Sequence, residues 1–254
     1  MKNRLIYCII IALFLPNWFV RTLAQDDILK NAEEAYANGE YAKAAGFYRK
    51  ALKTYGESAE VYYNLGNAYY KANEVGPAIL YYERALLIDP GDADVRVNLE
   101  LARDKAVDKI TPVGKFFLAE WMADIRNLGA ADSWAKVGIG AFLLLTGCLF
   151  LYFFSRKRGL RRMGFYAGMA LAALIIIANV FAAGQRKKLV ERNEAIVFAP
   201  TVTVKSSPNN SGTDLFVLHE GTKVMIRNTV GDWKEIELED GNVGWLPGKD
   251  IELI

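Results

Sequence analysis

Apolar positions along the chain recur in three rhythms, each in its own stretch. Between residues 25 and 110 they fall three and four apart, as in Val95, Leu99, Ala102 and Ala106, the spacing that lines one face of a helix. Three stretches are almost unbroken: Leu5 to Leu15, Val137 to Phe154 and Met163 to Gly184. From Ala195 onward, β-branched and polar residues alternate in short runs. Lys223 to Ile226, Trp233 to Leu238 and the Asp240-Gly241 pair show strands joined by tight turns. The predicted fold class is a multidomain membrane protein. It combines an all-α solenoid, a two-helix transmembrane hairpin and a small all-β barrel.

The two longer runs have the length of membrane spans. At about 1.5 Å per residue, 137–154 and 163–184 reach roughly 27 and 33 Å, against a hydrocarbon core of about 30 Å. Neither holds a charge, and Asn179 is their one strongly polar residue, so they read as anchors and not as an ion path. Gly164, Gly168, Ala172 and Ala173 supply small residues for close packing of the two helices. The first run is short, follows Lys2 and Arg4, and leads to Thr22-Leu23-Ala24 before Gln25, the order of a secretory signal peptide over 1–24. Cleavage there and retention as an N-terminal anchor both stay open.

Charge changes the picture only locally. With 31 Lys and Arg against 29 Asp and Glu, the protein is nearly neutral, yet Arg156, Lys157, Arg158, Arg161 and Arg162 crowd the connection 155–162. A nucleic-acid-binding domain would carry a basic face of its own, and no nucleic-acid partner is expected. Five cations between two spans instead hold that loop in the cytoplasm, with contact to anionic lipid as a secondary effect. An exported N-terminus then leaves 25–135 and 186–254 on the other side, in the periplasm of a bacterial inner-membrane protein. Ahead of the first span, 113–129 sets Phe117, Trp121, Ile125 and Leu128 on one stripe. That pattern predicts an amphipathic interfacial helix, with Trp121 and Trp134 at headgroup depth.

Residues 25–110 also repeat themselves. Two segments superimpose with a shift of 34 residues, matching Ala44 to Ala78, Tyr48 to Tyr82 and Ala51 to Ala85. Leu65, Gly66, Tyr69, Ala78, Tyr82, Ala85 and Pro90 resemble the tetratricopeptide repeat. The resemblance implies repeats at 25–58 and 59–92 followed by a capping helix. Small residues at Ala44, Gly66 and Ala78 let helices approach, and Tyr48, Tyr69 and Tyr82 fill the gaps. It also implies a concave peptide-binding groove lined by Glu33, Tyr63, Asn67, Tyr70 and Asn98. Leu29, Glu33 and Asp94 stand where some relatives carry the cations that clamp a C-terminal carboxylate, so that ligand is not expected.

The segment 195–254 resembles the bacterial SH3 family through Gly221-Thr222-Lys223-Val224, Asp232-Trp233, and Asp240-Gly241 leading into Gly244-Trp245-Leu246-Pro247. Relatives bind peptides or cell-wall fragments, which implies Trp233 and Trp245 as a ligand surface, although tryptophans in so small a barrel commonly serve the core. Catalytic chemistry is thin. His219 is the sole histidine and lacks a nucleophile motif beside it, while Cys8 and Cys148 lie in apolar runs. No phosphate-cradling loop is present. A non-enzyme without metal or cofactor is expected.

The order of signal peptide, tetratricopeptide pair, interfacial helix, two-span hairpin and SH3-like barrel is similar to the BatE-like family of the Bacteroides aerotolerance operons. That resemblance implies membrane partners of von Willebrand factor A type, handled with a MoxR-like ATPase. It further implies a scaffold role in oxygen-stress tolerance or envelope maintenance. The alternative is a tether or sensor binding peptidoglycan through the C-terminal module.

Overall fold

The computed structural model describes residues 27–111, 114 and 116–254; the expected signal peptide, with Cys8, lies outside the described residues. Five helices come first: α1 (27–37), α2 (Tyr41–Tyr55), α3 (Ala59–Lys71), α4 (Val75–Ile88) and α5 (Ala93–Arg103). The 34-residue register extends to the backbone. Gly39 (φ 77°) follows α1, and its equivalent Asn73 (φ 64°) follows α3, two residue types that tolerate the left-handed turn ending a helix. Ser58 and Asp92 cap α3 and α5, their side-chain oxygens accepting first-turn N–H groups. Gly66 is required by packing, because a Cβ there would stand 2.7 Å from the Tyr82 ring. Leu65, Ala78, Tyr82 and Ala85 are buried as the repeat pattern demands.

Next come α6 (Phe117–Arg126), α7 (Ala131–Phe154) and α8 (Arg158–Glu191). Both α7 and α8 are long and apolar enough to cross a membrane. They pack as an antiparallel pair over nearly all of α7. The half-buried and buried positions on α7 include Trp134, Gly138, Ala141, Leu145, Cys148 and Tyr152; on α8 they include Gly164, Gly168, Leu171, Ile175, Ala178, Ala182 and Gln185. Both sets alternate steps of four and three, the 3.5-residue seam of a left-handed coiled pair. Ala173 faces outward and does not belong to the seam, because the run of small residues drifts off the contact line.

Three further details depart from the sequence reading. Only Ser155, Arg156 and Lys157 connect the two helices, so Arg158, Arg161 and Arg162 lie on α8 itself. Leu128 falls beyond the end of α6. Trp134, expected only as an interfacial ring, also ties the helices together: its ring packs edge-on against Phe181 at 4.9 Å, and its Nε1–H donates to the Arg126 carbonyl at 2.9 Å.

The C-terminal part is one antiparallel sheet of β1 (Glu194–Val197), β2 (Thr201–Lys205), β3 (Asp214–His219), β4 (Lys223–Val230), β5 (Trp233–Glu237), β6 (Val243–Pro247) and β7 (Ile251–Leu253). The strand order is β3-β2-β6-β5-β4-β1-β7. In a flat sheet β3 and β4 would stand four strand spacings apart, about 19 Å. Glu220 to Thr222 alone join them, a connection reaching about 14 Å, so the sheet must curl. Register shifts at Val204/Lys205 and Ile226/Asn228 help bend it. The edges β3 and β7 nevertheless do not pair, so the expected barrel is a curled sheet that does not close.

Helical repeats and sheet are docked on one another. Ile196, Ile254 and Phe198 join the apolar cluster built around Ile79, Leu80 and Tyr82. The turn between β3 and β4 presses on the start of α4, where Gly76 leaves room for Glu220 and Gly221 meets Ile79. Lys223 Nζ bridges Glu83 at 2.9 Å and Glu194 at 2.8 Å, and Arg103 pairs with Glu83 from the other side. Burial alone would raise the Glu83 pKa, but Lys223 and Arg103 together hold it below the usual range. Burial likewise opposes the charge on Lys223, which Glu83 and Glu194 outweigh. Arg84 reaches Glu252 and the Leu253 carbonyl, and Arg192, just past α8, pairs with Glu57. Gln185 donates to the Arg126 carbonyl at 3.0 Å. The helical repeats and the sheet therefore sit at the same end of the α7–α8 hairpin.

Candidate functional site

The sheet docks on α4, the second helix of its pair. Three of the residues expected to line a groove are hydrogen-bonded to one another on α3 and α5. Asn98 on α5 donates its amide hydrogens to Tyr63 Oη at 3.1 Å and Asn67 Oδ1 at 2.9 Å, both on α3. Tyr82 reaches in from α4, its hydroxyl donating to the same Asn67 oxygen at 2.7 Å. Burial above all, then the neighbouring tyrosines, raises the Tyr82 pKa well above the usual phenol value, so its hydroxyl remains a donor at neutral pH. This network fixes Asn67 and Asn98 as rigid polar groups between half-buried aromatic rings, an arrangement suited to reading a peptide backbone.

The other two expected residues sit differently. Tyr70 is covered by Lys105, whose Nζ stands 3.9 Å from the ring centroid, a cation–π contact that a ligand would have to displace or extend. Glu33 is exposed and outside the hydrogen-bonded group. Its charge is felt by Tyr48, whose pKa rises to about 12 through burial first and Glu33 next.

Two apolar residues that were not anticipated are exposed on α5. Val97 is 56% exposed and Leu101 49% exposed on α5, unusual for a helix that buries Val95, Leu99 and Ala102 on its other side. The signal for them was available, since the 34-residue shift carries Tyr63 to Val97 and Asn67 to Leu101. Acidic side chains accompany them, with Glu33, Glu60, Asp94 and Asp104 all exposed on the same helices or their ends. Exposed Lys30, Lys71 and Arg96 stand on the same helices or their ends, so this surface offers aliphatic and aromatic contact among charges of both signs.

A second surface lies on the outer face of the sheet. The inward residues of β5 and β6 are Ile236, Gly244 and Leu246, so Trp233 and Trp245 point the other way, each half-buried. Trp233 pairs across the strands with Pro247, and Trp245 stands between Glu235 and Lys205. The core role usual for tryptophan in so small a module is therefore not theirs.

His219 is engaged at the docking junction. Its ring Nδ1 lies 2.8 Å from Asp108, and its backbone N–H and the Thr222 hydroxyl both donate to the same carboxylate at 2.7 and 2.6 Å. The hydroxyl points to Asp108 and not to the imidazole, so these three groups make a structural clasp and not a base-activated nucleophile.

Residues 59–92 match the family model of the tetratricopeptide repeat. No curated protein matches the chain significantly. The matched span is α3 and α4 with their caps, the pair that carries Tyr63, Asn67, Tyr70 and Tyr82. Such repeats are non-catalytic units of protein interaction, and the match points to protein partners.

Proposed function

We propose that the chain is a membrane-anchored scaffold whose helical repeats recruit a protein partner through the α1, α3 and α5 groove. The single observation that carries this reading is the ordered Tyr63, Asn67, Asn98 and Tyr82 network beside exposed Val97 and Leu101. Exposed Val97 and Leu101 beside this polar network favour an amphipathic partner segment that sets apolar side chains against them. The hairpin spans a bacterial inner membrane with both soluble parts in the periplasm, a placement supported by the five cations at the hairpin tip and the N-terminal segment. The C-terminal sheet is an SH3-like module of bacterial type, supported by its turn and tryptophan motifs. Kinship with the BatE-like aerotolerance family makes von Willebrand factor A-type membrane proteins the expected partners and oxygen-stress tolerance or envelope maintenance the setting. The helix α6, with Phe117 and Trp121 exposed, lies along the membrane surface.

A second reading rests on Trp233 and Trp245 facing outward: a tether that holds peptidoglycan through the sheet. Photo-crosslinking in membranes separates the two. A crosslinker at Leu101 should capture a protein, and Val97→Glu should abolish the adduct. If Leu101 captures nothing while a crosslinker near Trp245 joins cell-wall material, the tether replaces the scaffold.

A further inference from the structure

At the turn of the hairpin, Tyr152 on α7 and Arg158, Arg161, Arg162, Phe165 and Tyr166 on α8 line a hollow of about 300 Å³. Its aromatic members follow one another, Tyr152 and Phe165 with centroids 6.0 Å apart and Phe165 and Tyr166 5.4 Å apart. The Arg161 guanidinium stands 5.6 Å from the Tyr152 ring centroid. Among the described residues none of the three arginine side chains has a hydrogen bond or ion pair, in contrast to Lys187 and Arg192 at the other end of α8, which pair with Glu191 and Glu57. The sequence holds no Asp or Glu between Asp132 and Glu191, so the hairpin has no carboxylate of its own to offer. Three guanidinium groups around one hollow repel each other until an anion enters. Arginine forks suit the oxygens of a phosphate, where lysines would act as point charges. The apolar span begins at Met163, which sets the hollow where phosphates meet acyl chains.

We propose that this hollow is a binding site for the phosphate group of an anionic phospholipid. Arg158, Arg161 and Arg162 take the phosphate oxygens, while Tyr152, Phe165 and Tyr166 lie along the glycerol and upper acyl chain. The site rests on the membrane-spanning hairpin proposed above. Its chemistry is shared with free phosphate, and the aromatic wall is what favours the lipid.

The test uses the full chain in detergent, with phosphatidylglycerol or phosphatidylcholine added and retained lipid read by native mass spectrometry. Phosphatidylglycerol should be retained in preference by about tenfold. Arg158→Gln/Arg161→Gln/Arg162→Gln should erase the preference with an unchanged helical circular dichroism spectrum. Arg156→Gln/Lys157→Gln, which removes neighbouring charge without touching the hollow, should keep most of it. Should the triple variant fail to fold, Arg161→Lys retains the charge but not the fork and should still weaken retention. An unchanged preference in the triple variant, or equal loss in both sets, overturns the site. Displacement of the lipid by inorganic phosphate overturns the lipid assignment, and persistence supports it. Labelling of Lys157→Cys from each side of the membrane checks the spanning hairpin separately, so a wrong topology is distinguished from a missing lipid site.

Discussion

Glu83 is 7% exposed and faces Lys223 and Arg103, so it shows how single residues hold this molecule together. Removing it strands two cations at the junction, with Glu194 left as the nearby carboxylate for Lys223. Glu83→Gln should cost about 3 kcal/mol, the low end for breaking a buried pair, read as a lower melting temperature of the full chain in detergent. The same junction should be acid-sensitive. Glu83 and Asp108 both have folded pKa values below their unfolded ones, so their stabilisation is complete above about pH 5 and fades as pH falls through the unfolded and then the lower folded values. Melting temperature should therefore drop on acidification below about pH 5, and the drop should be smaller in Glu83→Gln. Gly66 gives a sharper sign test. Alanine is the better helix former by about 1 kcal/mol, but its Cβ would meet the Tyr82 ring at 2.7 Å. Overpacking costs about 1 to 3 kcal/mol, so Gly66→Ala should leave stability unchanged or reduce it, and a melting temperature above wild type would show that the ring yields freely.

At the scale of elements, the rhythm of apolar positions disclosed the helical repeat region, the two long apolar helices and the strands β4 and β5, because each buries one face and that face must be apolar, whereas the short β1 and β7 were not read. What it blurred were contacts set by shape. The seam between α7 and α8 follows a 3.5-residue repeat that an all-apolar span conceals, since lipid-facing and helix-facing positions carry the same kinds of residue. Gly164 stands at its tightest point, where an added Cβ would lie 2.8 Å from the Cys148 carbonyl oxygen. Gly164→Leu should force the helices apart at the tip and lower stability in detergent by about 1 to 3 kcal/mol. Gly159→Leu, on the same helix with nothing within 4 Å of its Cβ position, should have little effect. In the helical repeats the limit was of another kind. Repeat position put Tyr63, Asn67 and Asn98 on one surface, and they are hydrogen-bonded together, but Tyr82, which is the buried repeat tyrosine, also belongs to the polar network, and periodicity cannot show where its hydroxyl points.

For the whole molecule, the modules were legible and their docking was not. The junction is made by Glu57, Glu83, Asp108, Arg192 and Lys223, residue types that in a sequence read as solvated surface. The turn whose Gly221-Thr222-Lys223-Val224 motif resembles a bacterial SH3 domain is here the wedge against α4. These contacts bear on the membrane-spanning hairpin proposed above. An ion pair between Arg192 and Glu57, or Lys223 and Glu83, cannot form across a hydrocarbon core of about 30 Å, so that proposal requires the repeats and the sheet to share one compartment whichever way the hairpin is inserted. The five tip cations and the N-terminal segment bear on the separate question of which compartment that is. Cysteines introduced at exposed Lys53 in the repeats and Ser211 in the sheet should react with a membrane-impermeant maleimide from the same side. A cysteine at Lys157 should react from the opposite one. Lys53 and Ser211 labelled from different sides would mean that the junction does not exist in the membrane, whereas joint labelling from the cytoplasm would reverse the insertion and leave the docked scaffold intact.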